Sequence, residues 1–167
     1  VVLVTTEDVD CRVQRGLTVS SFTTICLTPS PYVCFSTRQV SRAADLIAQR
    51  RSFIVHLLPS TAEFAKLAEA FSKSDLAPHS HTKHQNPFDL AQWRRDTKWN
   101  LPVFDGVLGA LVCKVDKTVD VGDHRLWIAE VEDVEVDGLV DGTALGYCGR
   151  KYRKEGDPLI PHDTSEE

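Results

Sequence analysis

The chain of 167 residues has no methionine, no Cys-x-x-Cys pair, no run of basic residues and no long apolar stretch. Each absence removes a class of function. A net charge of −5 without a basic cluster takes nucleic acid off the list of expected partners. No apolar stretch approaches the roughly 20 residues that a membrane-crossing helix needs, so no membrane partner is expected. The sequence opens directly on Val1-Val2-Leu3-Val4, which reads as a strand, and neither a secretory signal nor an arginine-rich transit segment stands before it. With methionine also missing, the N-terminus reads as trimmed, and the expected location is intracellular, either cytoplasmic or mitochondrial. The five cysteines (Cys11, Cys26, Cys34, Cys113 and Cys148) are odd in number, and several alternate with apolar residues in strand-like runs. There cysteine acts as a small hydrophobe, so buried thiols in a reducing compartment are expected and a zinc site is not.

Catalytic signatures are equally sparse. The chain lacks the glycine fingerprint of a dinucleotide-binding helix, the phosphate loop, the Gly-x-Ser-x-Gly elbow and the His-Glu-x-x-His metal motif. Ser20 and Ser21 have no base at a diagnostic spacing, which argues against a serine hydrolase. Hydroxyl-rich strands without acid–base motifs fit a borrowed cofactor better than side-chain catalysis.

What is present is mostly strand. Val1–Thr6 and Ser52–Leu58 are rich in β-branched and aliphatic residues and read as buried strands. Cys11–Gln14 and Leu17–Leu27 read as a strand pair turning near Arg15-Gly16, and Tyr32–Arg38 reads as the next strand. A helix follows Ser41 as N-cap. Ser60-Thr61-Ala62-Glu63 has the form of a capping box, ahead of Phe64, Leu67, Ala68 and Phe71 on one helical face. Ser74 to Asn100 is polar and irregular, with His79, His81 and His84, and Phe88–Asp96 reads as a short helix carrying Trp93. Without a neighbouring cysteine or carboxylate pattern, those histidines read as a solvated loop and no metal is expected. Val107–Val115 and His124–Val134 read as strands flanking an Asp120–Asp123 turn, and Ala144–Cys148 as a last strand. Many strands and few helices predict one mainly β domain over residues 1–154, an antiparallel β-barrel with peripheral helices and an insertion at 74–100. Residues 155–167, with Gly156, Pro158 and Pro161, read as a flexible tail.

The most informative stretch is Gly16-Leu17-Thr18-Val19-Ser20-Ser21-Phe22-Thr23-Thr24, where small hydroxyl residues replace large apolar ones. It resembles the signature of the flavin reductase-like FMN-binding domains. Three further segments resemble that family in the same order along nearly the whole chain. They are Leu27-Thr28-Pro29-Ser30-Pro31-Tyr32-Val33-Cys34-Phe35-Ser36, then Gly122-Asp123-His124, then Leu145-Gly146-Tyr147-Cys148-Gly149-Arg150-Lys151-Tyr152. The resemblance implies a split β-barrel that binds FMN, or alternatively FAD, as a homodimer with the flavin near the subunit interface. It implies an NAD(P)H:flavin reductase, with NADH or NADPH as hydride donor and a monooxygenase as a possible recipient of reduced flavin.

The residues suit these roles. Thr18, Val19, Ser20 and Ser21 offer amides and hydroxyls to the ring edge; a solvated polar strand is the plainer alternative. Ser36, Thr37, Ser41 and Arg42 stand at a strand end and a helix start, where an anion is favoured. Under the resemblance His124 lies near flavin and nicotinamide, with orientation or hydrogen bonding as its task, since the cofactor carries the chemistry. Phe71, Ser72 and Lys73 end the second helix where relatives place ligand contacts, although for Phe71 core packing is narrowly the favoured reading. Arg150 and Tyr152 are within reach of the flavin phosphate or ribityl chain. His56 departs from the family pattern, standing where many relatives have asparagine. A non-enzymatic barrel holding flavin, or haem through the clustered histidines, is the alternative reading.

Overall fold

A computed structural model describes residues 1–10, 13–74, 86–136 and 142–154; Cys11, the three clustered histidines and the tail from 155 lie outside the described residues. In chain order the elements are β1 (Val2–Glu7), β2 (Gln14–Val19), β3 (Thr23–Cys26), β4 (Tyr32–Arg38), α1 (Arg42–Arg50), β5 (Ser52–Leu57) and α2 (Ala62–Ser74). A 3-10 turn (Pro87–Leu90), β6 (Trp93–Arg95), β7 (Pro102–Phe104), β8 (Gly109–Val121), β9 (His124–Glu135), β10 (Gly146–Cys148) and β11 (Lys151–Arg153) follow. The mainly β expectation holds.

Seven strands form one antiparallel sheet in the order β2-β1-β5-β8-β9-β4-β3. Its two edge strands, β2 and β3, are consecutive in sequence and joined only by Ser20, Ser21 and Phe22. That connection spans at most roughly 14 Å, whereas the edges of a flat seven-stranded sheet lie roughly 29 Å apart. The sheet must therefore roll up. Among the described residues no ladder pairs β2 with β3 or β4, so the roll is closed by residues 20–22 and a seam remains.

Rolling explains the burial patterns. Val2, Val4, Leu17, Val19, Phe35, Phe53, Val55, Val115 and Trp127 form the inner core, and α1 plugs it with Ala43, Ala44 and Ile47. Leu3, Ile54, Ala110 and Val112 point outward from the same strands and are covered by α2 and by Phe88, Val103 and Phe104. Strands β1 and β5 are thus buried on both faces, which is why they read as near-continuous apolar runs.

Several local expectations are corrected. Arg15-Gly16 is not a turn: both lie within β2, where Gly16 pairs with Thr5. A Cβ at Gly16 would meet the Phe71 ring at 2.7 Å, so the glycine is needed for close approach of α2. The hydroxyl-rich stretch is not one strand to Leu27; it breaks at 20–22 into β2 and β3. The N-cap of α2 is Thr61, whose Oγ1 accepts from Phe64 N–H at 3.3 Å, while the Ser60 hydroxyl bonds Thr143 Oγ1 at 2.6 Å. Phe88–Asp96 is not a helix, because Pro87 starts a single 3-10 turn and Trp93 enters β6. The Asp120–Asp123 turn is shorter than expected, since β8 runs to Val121 and pairs there with His124. Lys151–Arg153 adds a strand that the sequence reading left out.

Candidate functional site

The seam opens as a cleft of about 280 Å3. One wall is β2 and its continuation: Leu17, Thr18, Val19, Ser20 and Ser21. The second is the end of β4 and the loop to α1: Ser36, Thr37, Arg38, Val40 and Ser41. Phe71 and Ser72 of α2 and His124 of β9 complete it.

Each part is positioned by local physics. Phe22 packs against the inner core and pins the connecting segment, which leaves Ser20 and Ser21 exposed. The β1–β2 ladder ends at Val2↔Val19 and the β3–β4 ladder begins at Thr23↔Cys34. The amides of Ser20 and Ser21 therefore lie outside both ladders. Ser21 clasps β4 just beyond the end of the β3–β4 ladder: Ser36 N–H donates to Ser21 Oγ at 3.0 Å, and the Ser21 hydroxyl donates to Ser36 C=O at 3.3 Å. The Thr18 hydroxyl donates to Ala68 C=O at 2.6 Å and ties α2 to the same wall. Thr37 accepts from the buried Trp127 indole N–H at 2.9 Å, which fixes the end of β4.

The anion-favouring corner is preorganised as well. Ser41 caps α1, its Oγ accepting from Ala44 N–H at 3.1 Å. Gln39 binds the turn before His124 twice, through Gln39 N–H to Asp123 C=O at 2.9 Å and Gln39 Nε2 to Gly122 C=O at 3.3 Å. Arg38 is the ladder partner of His124. His124 Nδ1 lies 2.7 Å from Asp123 Oδ1, and this contact holds the Asp123 carboxyl below its ordinary range. Asp123 thereby favours the tautomer with the proton on Nδ1, which leaves Nε2 as the acceptor.

The structure brings together ten of the expected residues: Thr18, Val19, Ser20, Ser21, Ser36, Thr37, Ser41, Phe71, Ser72 and His124 all line the cleft. Phe71 is both wall and core, 1% exposed and edge-on to Phe88 and Phe104. Four do not line it. Arg42 stands in the first turn of α1. Exposed Lys73 is paired with Glu69 at 2.6 Å. Arg150 occupies the tip of the β10–β11 hairpin with φ 60°. Tyr152 lines a neighbouring hollow. Arg38 and Val40 were not anticipated; an arginine two residues past a candidate phosphate-binding serine was the available signal.

His56, the departure from the family pattern, is fully buried and outside the cleft. Its Nδ1–H donates to Leu3 C=O and its Nε2 accepts from Phe104 N–H, both at 3.1 Å, joining β1, β5 and β7. Burial lowers its pKa to about 4. Among the described residues no three His, Cys, Asp or Glu side chains gather as metal ligands, and no helix is long and apolar enough to cross a membrane.

The cleft fits a flavin nucleotide in kind. The unladdered amides of Ser20 and Ser21 and the hydroxyls of Thr18, Ser20 and Ser21 suit an edge of ring carbonyls and nitrogens. The Phe71 and Val40 surfaces suit the ring's apolar rim. Arg38 and the capped start of α1 suit a phosphate.

An NADH:FMN oxidoreductase of Rhodococcus erythropolis is 30% identical over 142 residues, covering 83% of this chain and 67% of that protein. An NADH-dependent FAD reductase of Streptomyces globisporus is 27% identical over 117 residues, 70% of this chain but only 60% of that protein. Among solved structures, the styrene monooxygenase flavin reductase of Pseudomonas putida superposes with a TM-score of 0.74 at 26% identity, covering 95% of this chain and 91% of that one. The family model described as flavin reductase like domain matches residues 1–156, and the chain belongs to that family.

Proposed function

We propose that the protein is an NAD(P)H-dependent flavin reductase that binds FMN, with FAD as the alternative, in the seam cleft. One observation carries this reading: in a chain of the flavin reductase family, nine residues expected from sequence to bind the flavin, and His124 expected beside it, converge on one cleft at the seam. Bound flavin supplies the hydride-accepting ring, so the protein's own residues need only bind, orient and exclude water. Ser20 and Ser21 present amides and hydroxyls to the ring edge. Arg38, Ser36 and Ser41 hold the phosphate. Phe71 backs the ring. His124, oriented by Asp123, offers Nε2 as a fixed hydrogen-bond partner for the ring or the nicotinamide carboxamide.

The reading includes a homodimer. Cross-strand partners share a face, so the ladder sets Val119, Leu126 and Ser36 in one row and Val121, His124 and Arg38 in the next. An apolar patch with Val119 46% and Val121 63% exposed thus adjoins the cleft, and it suits a second copy of the chain. The free thiols of Cys26, Cys34, Cys113 and Cys148 go with an intracellular setting. Delivery of reduced flavin to a monooxygenase is the downstream role that the names of the solved neighbours suggest.

The test is direct. FMN is titrated into the protein, and the loaded sample is mixed with excess NADH or NADPH in a stopped-flow instrument. Bleaching of the flavin absorbance is expected with at least one of them; persistence of the absorbance with both sinks the assignment.

A further inference from the structure

We propose that the hollow between the Tyr147–Tyr152 pair and β2 is a nucleobase subsite, taking the adenine of a dinucleotide whose reactive ring lies in the seam cleft. This rests on the flavin-reductase reading and names a part of the site that the reading leaves unassigned.

The first support is continuity. The hollow has a volume of about 150 Å3, and three of its lining residues, Thr18, Ser20 and Ser72, also line the cleft. A ligand lying along the hydroxyl wall is therefore in contact with residues common to both.

The second is a preformed aromatic platform. Tyr147 and Tyr152 are directly opposed in the β10–β11 ladder, with ring centroids 5.1 Å apart and planes tilted by 56°. Tyr152 packs its body against the outer core, and its phenol bonds Ser72 at the end of α2; burial raises the phenol's pKa against the lowering effect of that bond. Tyr152 is thus held from two sides and supports Tyr147, which is 46% exposed. An exposed ring braced by a fixed one is what a stacking surface requires.

The third is chemical selectivity. Among the described residues lining the hollow there is no side-chain cation. Arg38 and the start of α1 belong to the cleft instead. The Val1 amino group also borders the hollow, but it is turned to Leu145 C=O at 2.8 Å and burial disfavours its charged form, so a neutral planar base suits the hollow better than a phosphate. Adenine alternates donors and acceptors along its edge; the Thr18 and Ser72 hydroxyls, whose protons go to the Ala68 and Glu69 carbonyls, can accept from it, and the exposed Ser20 hydroxyl can serve either role.

Adenine reaches this site from one of two sources, FAD or the nicotinamide dinucleotide. The test uses the full chain and the substitutions Tyr147→Ala and Tyr147→Phe. It measures AMP affinity by calorimetry, the ratio of FAD to FMN affinity, and the KM for NADH at saturating FMN. Loss of the ring is expected to weaken AMP binding about tenfold, while Tyr147→Phe keeps it. A matching fall in the FAD-to-FMN ratio assigns the adenine to FAD. A matching rise in NADH KM, with that ratio unchanged, assigns it to the nicotinamide dinucleotide. If Tyr147→Ala changes none of the three, or Tyr147→Phe does as much damage as Tyr147→Ala, the subsite is wrong. If the unaltered protein binds neither FMN nor FAD, the flavin reading fails separately, and the AMP titration still decides the subsite.

Discussion

Ser21 and Ser36 grip each other at the edge of the open seam, one hydroxyl accepting from an amide at 3.0 Å and donating to the carbonyl of the same residue at 3.3 Å. This contact continues the β3–β4 register two residues beyond Thr23↔Cys34, and it sits in the wall proposed to hold flavin. Ser21→Ala removes both bonds. Because Ser21 is exposed, water replaces them and the stability loss stays at about 1 kcal/mol or below. The geometry of the wall is affected more, so FMN affinity is expected to fall roughly tenfold, about 1.4 kcal/mol. Fluorescence titration beside a thermal melt separates the two effects. A large melting shift with unchanged FMN affinity would contradict this account of the clasp.

Gly16 and Phe71 form a lock between β2 and α2. An added Cβ would lie 2.7 Å from the Phe71 ring and 3.1 Å from the Val4 carbonyl oxygen. The ring has no room to yield, being edge-on to both Phe88 and Phe104. Gly16→Ala is expected to cost about 1–3 kcal/mol from overpacking and to weaken flavin binding, since Phe71 is also cleft wall. Denaturant unfolding with an unchanged midpoint would refute the lock.

These two contacts show which parts of the molecule were legible in the sequence. Strands β1 and β5 could be read directly because burial on both faces leaves an unbroken apolar run. Ser41 could be read as a cap because capping is a local bond between residues three apart. Gly16 was misread as a turn because its reason is a ring 55 positions away in sequence, and local conformational freedom was the only visible cue. Ser60 looked like the α2 cap, but a tertiary bond to Thr143 claims its hydroxyl and Thr61 takes the role. The hydroxyls of the cleft were found by family resemblance, whereas Arg38 and Val40 were missed. Arg38 ends β4 and Val40 lies in the connection to α1, and only the rolling of the sheet sets them opposite Thr18–Ser21.

His56 makes stability depend on pH in a defined direction. Its folded pKa is lowered to about 4 from 6.5 by burial, so the unfolded chain binds the proton more readily. The contribution is complete above pH 6.5 and is lost as pH falls from there towards 4. Over that window it amounts to about 3 kcal/mol as an order of magnitude. Unfolding free energy measured from pH 7 to pH 4 should decline accordingly. His56→Asn removes the titrating ring, lowers stability at pH 7 through a lost bond, and flattens that part of the decline. A variant with the same acid slope as the parent would assign the slope to other groups.

Glu7 is fully buried and depends on Arg95, whose Nη1 donates to both carboxylate oxygens at 2.6 and 2.7 Å. The pair fastens β6 to the end of β1. Arg95→Ala leaves a buried carboxylate without this partner and is expected to cost roughly 3 kcal/mol. Adding Glu7→Gln should recover part of that loss, because the charge goes with it. A double variant no more stable than Arg95→Ala alone would show that packing, not charge, fastens β6.

Arg38 offers the sharpest separation of phosphate recognition from ring recognition. It lines the cleft beside Ser36 and Ser41, and its ladder partner is His124. A guanidinium favours a phosphate by charge and by paired donors, but it gives no comparable advantage to an uncharged ribityl end. Arg38→Gln should therefore lower FMN affinity about tenfold while leaving riboflavin affinity nearly unchanged, so that the preference for FMN over riboflavin shrinks. Raising the salt concentration should weaken FMN binding in the parent more than in the variant, because the charge contribution is screened. Equal losses for FMN and riboflavin would place Arg38 against the ring instead and move the phosphate to another part of the cleft.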